Sequence, residues 1–524
     1  MKHQSLLSGI KSLGIMLSLG LALASCTKDD VAQNPAKPNE EENKNLTTFV
    51  AGGENKTRTS MNYNSGDFYW EAGDYIYVKD DNGDLKKSTN APTSKVASFK
   101  YKVPGKFTDH SSYKVYYLGK NSSGNSVTIS TTQIQTAPDN TEHFGTAGDY
   151  GTATATGAVG GGFFSFQLEH HPAYLVFQPY ISNTILRNCY LTKVEVTSDN
   201  DIAETYTVNS TTGALDASAV TNGDKIILTT KDPAWGSSYK NGFPLTNNSA
   251  SVTTNGAYMV IKPGTHTLRV RYWLKDVVTS TEGTITKIYP STAYASNTYY
   301  DMNANLNVRD YDGTKYYMWD AQQNYWAGHE WNSAAPWQPT LTTQPANSNY
   351  AQSNTDPNNR WYHEGSGAFQ ATQSCATLPN VNEMTWYAAY GEPRWDADEL
   401  WTTMGHLYKG GMWLKKKSVL LAEHHYNSNT AYDGTDWRTT GKMQSWTPSQ
   451  TLPSAADAGK YFLLPALGCY DSGHLNYVGN SGYYWSSSAL PWYSFNAYDL
   501  IFYSNRVVVR YNLRTFGYRV GGFE

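Results

Sequence analysis

Between Thr267 and Leu274 the chain reads TLRVRYWL, with Leu268, Val270, Tyr272 and Leu274 on one parity and Arg269, Arg271 and Trp273 on the other. Successive side chains of a strand point to opposite faces, so this alternation makes a sheet with one buried side. A helix would scatter the same residues around its circumference. Related runs occur at YKVYYL (113–118) and HPAYLVFQPY (171–180), separated by Gly, Asn and Ser turns. The sharpest turn signal is Asn82-Gly83, which follows the run Asp74–Val78 and reads as a hairpin. Asp80, Asn82 and Asp84 mimic the start of a calcium loop, but no Glu closes it at the required distance, so the turn reading wins. Repeated strands of this kind argue for β-sandwiches, divided near the Gly-rich GAVGGG at 157–162.

At 524 residues the chain exceeds one hydrophobic core. A net charge of −4 gives no sign of a nucleic-acid binder. Aromatic residues reach 14% and charged residues only 16%, with 43 Gly, the balance of an extracellular β-rich protein.

Residues 1–25 have the form of a signal peptide, with Lys2 and Lys11 before the apolar LGIMLSLGLALA, too short for a stable span. Leu23-Ala24-Ser25-Cys26 resembles a bacterial lipobox, which implies cleavage before Cys26 and anchoring to a membrane through lipid on that cysteine. TKDD after it resembles the export signal that carries lipoproteins to the outer surface. Residues 26–46, rich in charge and proline, read as a disordered tether. Cys189, Cys375 and Cys469 match no disulfide framework or metal spacing; a Cys375–Cys469 bridge and two separately buried thiols both remain open.

Within 47–308, TRTS, Phe68-Tyr69-Trp70 and Gly73-Asp74-Tyr75-Ile76-Tyr77-Val78 are similar to the N-terminal domain of the fimbrillin family, lipoprotein pilins of type V pili. LEHHPAYLVF (168–177) resembles the opening of that family's second domain and YYDMNANLNV (299–308) its closing strand. The resemblance implies two β-sandwiches, at 47–162 and 163–308, and assembly with other pilin subunits by strand complementation after an N-terminal strand is cut away. Arg58 is the candidate cleavage point, with an ordinary exposed loop arginine as the alternative. A sandwich that lacks a strand exposes backbone groups and apolar side chains that a neighbour's strand can fill.

From about Tyr316 the chain is Trp-rich and changes character. LPNVNEMTWYAAYG offers Asn380 as N-cap, Glu383 three residues on and Gly391 as terminator, the marks of a helix. DADELWTTMGHLY (396–408) reads as a second short helix. A late sheet after these gives an α+β domain over 312–524.

The tail of that domain resembles the C-type lectin fold of bacterial variable surface proteins diversified by retroelements. Leu464-Pro465-Ala466, Gly482-Tyr483-Tyr484-Trp485-Ser486-Ser487, Ala497-Tyr498 and Gly517-Tyr518-Arg519-Val520 carry the likeness, with Leu500, Phe502, Val507, Val509 and Arg514 as scaffold. The residues between them are then the displayed, ligand-binding set: Leu490, Trp492, Tyr493, Ser494, Phe495, Asp499, Ile501, Tyr503, Arg506, Val508, Arg510, Tyr511, Asn512, Leu513, Thr515 and Phe516. Miscopying of template adenines cannot convert an Asn codon to Lys, Glu, Gln or Met, and none of the four occurs from Tyr461 to Phe523. Trp492 departs from the same rule. Tyr, Trp, Phe, Arg and Ser are the residues of a recognition surface, and a patch of this extent would cover roughly 800 Å² of one partner.

Enzymatic readings find little support. Formylglycine-generating enzymes share the lectin fold but need a close cysteine pair, for which only Cys375 and Cys469 are available. Glu392-Pro393 is followed by Arg394, and no Trp-Asn-Asp motif follows, so calcium-dependent sugar binding is not expected. His424-His425 beside Glu423 lacks the helical HExxH spacing. No metal or cofactor is implied. The sequence reads as a multidomain outer-membrane lipoprotein: two all-β fimbrillin-like sandwiches and a lectin-like head. It would be a tip adhesin on a pilus, accepting a strand without donating one, for an unknown protein or glycan on another cell or phage. A membrane-anchored receptor that never polymerises is the alternative.

Overall fold

The computed structural model of the protein describes residues 2–5, 46–52, 60–64, 68–122, 124–182 and 186–524. Cys26 and Arg58 lie outside the described residues. The chain is mostly β, built from several sheets. Contacts divide it into two compact units, Met1–Val277 with Tyr289–Asn307, and Val278–Ile288 with Val308–Glu524. Among the described residues, no helix is long and apolar enough to cross a membrane.

The first unit opens with β1 (Leu46–Ala51), β2 (Phe99–Pro104), β3 (Ser112–Tyr117), β4 (Gly151–Gly157) and β5 (Phe163–Phe166). β1 lies inside the sheet, parallel to β5 on one side and antiparallel to β2 on the other. Its Phe49 and Ala51 point into a core with Trp70, Tyr101, Val115 and Phe164, where the Phe49 and Phe164 rings stack at 5.3 Å. The Gly-rich stretch at 157–162 is a turn inside this sheet. β5 follows it and adds Phe164, Phe166 and Leu168 to the same core, so the first sandwich runs past the break expected at 162. Asp80 does not hold an ion-binding loop: its Oδ1 accepts the backbone amides of Asn82 and Asp84, fixing the hairpin turn.

The rest of this unit is built on β6 (Ala173–Tyr180), β7 (Cys189–Ser198), β8 (Ala257–Ile261), β9 (Gly264–Asp276) and β10 (Thr298–Asn305). β6 runs between β8 and β10, parallel to the latter. Lys2–Ser5 runs parallel along the far edge of β10, opposite Thr298–Asp301. In a second sheet β7 and β9 pair antiparallel, Val194 opposite Tyr272 and Val196 opposite Val270. Phe177 of β6 meets Tyr272 of β9 edge to face at 6.0 Å, where the two sheets close on each other. The alternation of β9 reads as expected, with Leu268, Val270, Tyr272 and Leu274 all buried.

The second unit is organised by α1 (Val381–Tyr390), β11 (Arg394–Thr403), β12 (His406–Lys415), β13 (Tyr461–Pro465), β14 (Gly482–Ala489), β15 (Asn496–Tyr503) and β16 (Arg506–Leu513). α1 starts in the expected capping box: Asn380 accepts the Glu383 amide and Glu383 accepts the Asn380 amide. The second expected helix is absent. Residues 396–408 instead form most of the β11–β12 hairpin, which turns at Met404 (φ +49°) and Gly405 (φ +77°). Leu400, Trp401, Thr402 and Thr403 are consecutively buried, as suits a strand covered on both faces, and the β-branched Thr pair favours that geometry. Val278–Ile288, expected within the second sandwich, belongs to this unit because Glu399 of β11 accepts from Thr284 Oγ1 and from the Thr286 amide and hydroxyl at 2.6–3.1 Å.

Candidate binding surface

β15 is the middle strand of the terminal sheet, antiparallel to β14 and β16. Its register sets Tyr484, Leu500 and Val509 across one face, and Tyr483, Ile501 and Val508 across the other. The first face carries the scaffold residues Leu500, Phe502, Val507 and Val509, all fully buried. Rings connect it to the helix: Phe502 stacks on Tyr484, which meets Phe523, which meets Tyr387 of α1. This half of the sequence reading stands.

The second face was expected to lie open, and much of it is covered. Trp319, Ala371, Cys375, Leu378, Cys469 and Tyr518 pack on Tyr483, Trp485, Ala497 and Ile501. Trp319 Nε1 donates to the Ser486 carbonyl at 2.9 Å, fastening this second layer to β14. Ile501 is buried beneath it, Leu490, Asp499 and Val508 are buried too, and none of the four forms part of a contact surface. An alternating strand cannot announce that a segment more than a hundred residues upstream will fold across it.

Apart from Arg510, the remaining residues of the displayed set gather at the two ends of the β15–β16 hairpin. At one end Trp492, Tyr493, Phe495 and Leu513 are 67, 52, 50 and 42% exposed, with Ser494 also open. The Tyr493 and Phe495 rings lie 5.8 Å apart. Trp492 lies so close to Gly441 that a β-carbon there would meet its indole nitrogen at 2.3 Å, so the glycine is the seat of the ring. Tyr511, Asn512, Thr515 and Phe516 are half-buried beside this end, and Phe516 stacks on Tyr518 at 5.5 Å. At the other end the exposed Arg506 holds its guanidinium 5.3 Å from the ring of half-buried Tyr503. Tyr503 meets Tyr483 at 6.4 Å, and Tyr483 stacks on Tyr477 at 5.9 Å. Tyr477, more than half exposed at φ +63°, was missed in the sequence, because nothing in LNYVGN signals a left-handed tyrosine.

Between the two ends lies a polar pair of buried Asp499 and half-buried Arg510. Asp499 Oδ2 accepts from Asn512 Nδ2 at 2.9 Å, and its Oδ1 stands 3.8 Å from Arg510 Nε. Burial pushes the Asp499 carboxyl up to about 7, against the pull of Arg510 and Asn512, while Asp499 raises the half-buried Arg510. At 3.8 Å the pair is too long for a hydrogen bond, so desolvation wins for the carboxylate.

Arg514 closes the tail. Its guanidinium lies 4.6 Å from the Trp319 ring and 5.0 Å from that of Phe369, donating to the carbonyls of Asn496, His363 and Gly365 at 3.0–3.1 Å. It is fully buried, as a scaffold position should be.

No family model matches the sequence, and no curated protein matches it either. Among solved structures, the chain is similar to a candidate cell adhesion protein from Bacteroides ovatus at 15% identity and a TM-score of 0.30, over 50% of this chain and 93% of that one. It is similar to a fimbrial protein from Bacteroides ovatus at 14% identity and a TM-score of 0.24, over 90% and 98% of the two chains. A fimbrial anchor protein from Porphyromonas gingivalis gives 11% identity and a TM-score of 0.21, over 46% and 82%. The neighbours are adhesion and fimbrial proteins.

Other sequence candidates resolve individually. Cys375 and Cys469 are free and buried, and burial pushes both thiols well above their usual range. Neither is a ready nucleophile. Glu392 is held by Lys415 at 2.6 Å and Arg394 at 3.2 Å, which lower its carboxyl to about 2 with Lys415 the larger cause. Among the described residues, no three His, Cys, Asp or Glu side chains are grouped to hold a metal ion.

Proposed function

We propose that this chain is a cell-surface adhesin whose C-terminal domain, of C-type lectin-like build, recognises its ligand through the exposed ends of the β15–β16 hairpin. One observation carries the reading: Trp492, Tyr493, Phe495 and Leu513 stand exposed together within Tyr461–Phe523, a stretch free of Lys, Glu, Gln and Met. Ordinary solvated strand ends carry charge there, whereas large rigid aromatics suit a contact surface. Retroelement diversification fits the composition with Trp492 as the exception. The test is the neighbouring DNA: a near-copy of the final codons differing only at adenines, beside a reverse-transcriptase gene. Its absence makes the tail a fixed binding site.

The anchoring reading places lipid on Cys26 and the protein at the outer membrane or a pilus tip. Strand complementation is supported by β1, a central strand whose Phe49 is wholly buried and which lies upstream of Arg58. Cleavage at Arg58 and loss of β1 would open a groove between β5 and β2 for a neighbour's strand. Cleavage before Cys26 would also remove Lys2–Ser5 and free the β10 edge. Co-purification with stalk pilins is the expected result for a tip subunit. Recovery solely as a membrane-bound monomer favours the non-polymerising receptor.

A further inference from the structure

In the first unit the strand Lys225–Thr229 runs antiparallel along β7, with Thr229 opposite Lys193. The chain rejoins the same edge of β7 with Phe243 opposite Leu191. Residues 231–242 are therefore an excursion out of an otherwise continuous line, and cutting them out would leave the register unchanged. The excursion is firmly braced. The Asp232 and Gly242 amides donate to the Tyr239 carbonyl at 3.1 and 3.0 Å, and the Ala234 amide donates to Asp232 Oδ1 at 3.0 Å. Tyr239 meets the fully buried Phe243 edge to face at 5.7 Å, which pins the base of the loop to the core. The tip turns at Gly236 (φ +84°) and holds Trp235 wholly in solvent, beside exposed Pro233 and Ala234. A sheet that closes without this loop does not need it for packing, and an indole placed there serves contact with something else.

The ground around Trp235 is basic, on a chain whose net charge is −4. Lys231 and Lys240 are exposed on the loop itself. Arg187 and Lys275 stand at the same end of β7, with Asp232 and Asp276 as the opposing charges. An aromatic tip with cationic shoulders matches the boundary layer of an anionic bilayer, where indoles rest at headgroup level and lysines stay in water beside the phosphates. Lipid is also the partner within reach. Cys26 stands twenty residues before Leu46, a distance of roughly 25 Å for a flexible coil. A tether of that length raises the effective concentration of the surface, so even a weak loop contact is populated.

We infer that the 231–242 excursion is a membrane contact, setting Trp235 into the headgroup layer of an anionic bilayer while Lys231 and Lys240 meet the phosphates. The inference rests on the anchoring reading, which supplies the lipid surface. It is tested with the full chain on vesicles of phosphatidylcholine and phosphatidylglycerol in equal parts, with acyl chains brominated near the headgroup. Bromine there quenches an indole in contact with lipid, and among the 16 tryptophans the component lost in Trp235→Ala reports the loop. Quenching is expected in the native chain. It should vanish in Trp235→Ala and in a chain lacking 231–242, whose urea melt should be unchanged. Lys231→Gln and Lys240→Gln should each shift the contact about fivefold toward solution, and added salt should act in the same direction. Trp492→Ala should leave the quenched component intact. Equal quenching before and after Trp235→Ala overturns the inference, as does equal quenching on phosphatidylcholine alone. Mass spectrometry of the protein from its native membrane reports the acyl chain on Cys26 separately, so a missing anchor is not mistaken for a missing loop contact.

Discussion

Strands β9 and β15 are written in the same alternating script and behave differently. In β9 the buried parity is Leu268, Val270, Tyr272 and Leu274, and the opposite parity holds two arginines and a tryptophan. That second row is polar and only partly covered: Arg269 and Trp273 are half-buried, with Lys193 Nζ 3.7 Å over the Trp273 ring, while Arg271 between them is buried. In β15 both parities are buried: Leu500 and Phe502 against the α1 side, Ile501 under the Trp319 layer. Period two tells which residues share a face. Whether that face meets water depends on what the rest of the chain lays over it.

The sharpest way to break this contrast is Ile501→Ala. If Ile501 is core, the loss is about 2–5 kcal/mol of unfolding free energy for the second unit, read by urea melts. A displayed residue would cost almost nothing, and that result would return the strand to a one-sided sheet.

Next in size is the pH response of Asp499. Its folded value, raised from 3.8 to about 7, lies above its unfolded one. The stability this group contributes is therefore complete below about pH 4 and lost as pH rises through about 7. Asp499→Asn should remove that decline, a difference of order 2–4 kcal/mol between the two proteins' stability changes from pH 4 to pH 8. Parallel curves for the two proteins would show that Arg510 compensates the carboxylate fully.

A smaller effect is expected from Asn380→Ala, which deletes the α1 cap and should cost about 1 kcal/mol in the same melts. The smallest concerns the hairpin ends. Trp492→Ala, Tyr493→Ala and Phe495→Ala should each change stability by no more than about 0.5 kcal/mol. Together they should abolish adhesion of cells displaying the protein. Unchanged adhesion would remove these side chains from the binding surface.

Much of the architecture was legible because its signals are local. The capping box at Asn380–Glu383, the Asn82-Gly83 turn and the β9 parity all depend on residues within a few positions. The misread segments depend on distant partners or on turn geometry. Residues 396–408 read locally as a short helix, yet Met404-Gly405 makes a tight reversal that pairs β11 with β12. The site was half legible. Parity sorted Leu500, Phe502, Val507 and Val509 correctly, but Ile501 on the other parity is covered by Trp319 and the 371–378 segment, and Asp499 and Val508 beside it are buried as well. Tyr477 needed a backbone angle that composition does not reveal.

Arg514 has a bearing on protein engineering. A library built on this chain would gain diversity cheaply at 492–495, 506 and 513, where side chains end in solvent. Randomising position 514 would instead discard most clones, since one guanidinium ties Asn496, His363 and Gly365 into a single frame. The tail thus has a fixed pin between Leu513 and Thr515, and any useful mutagenic primer should spare that codon.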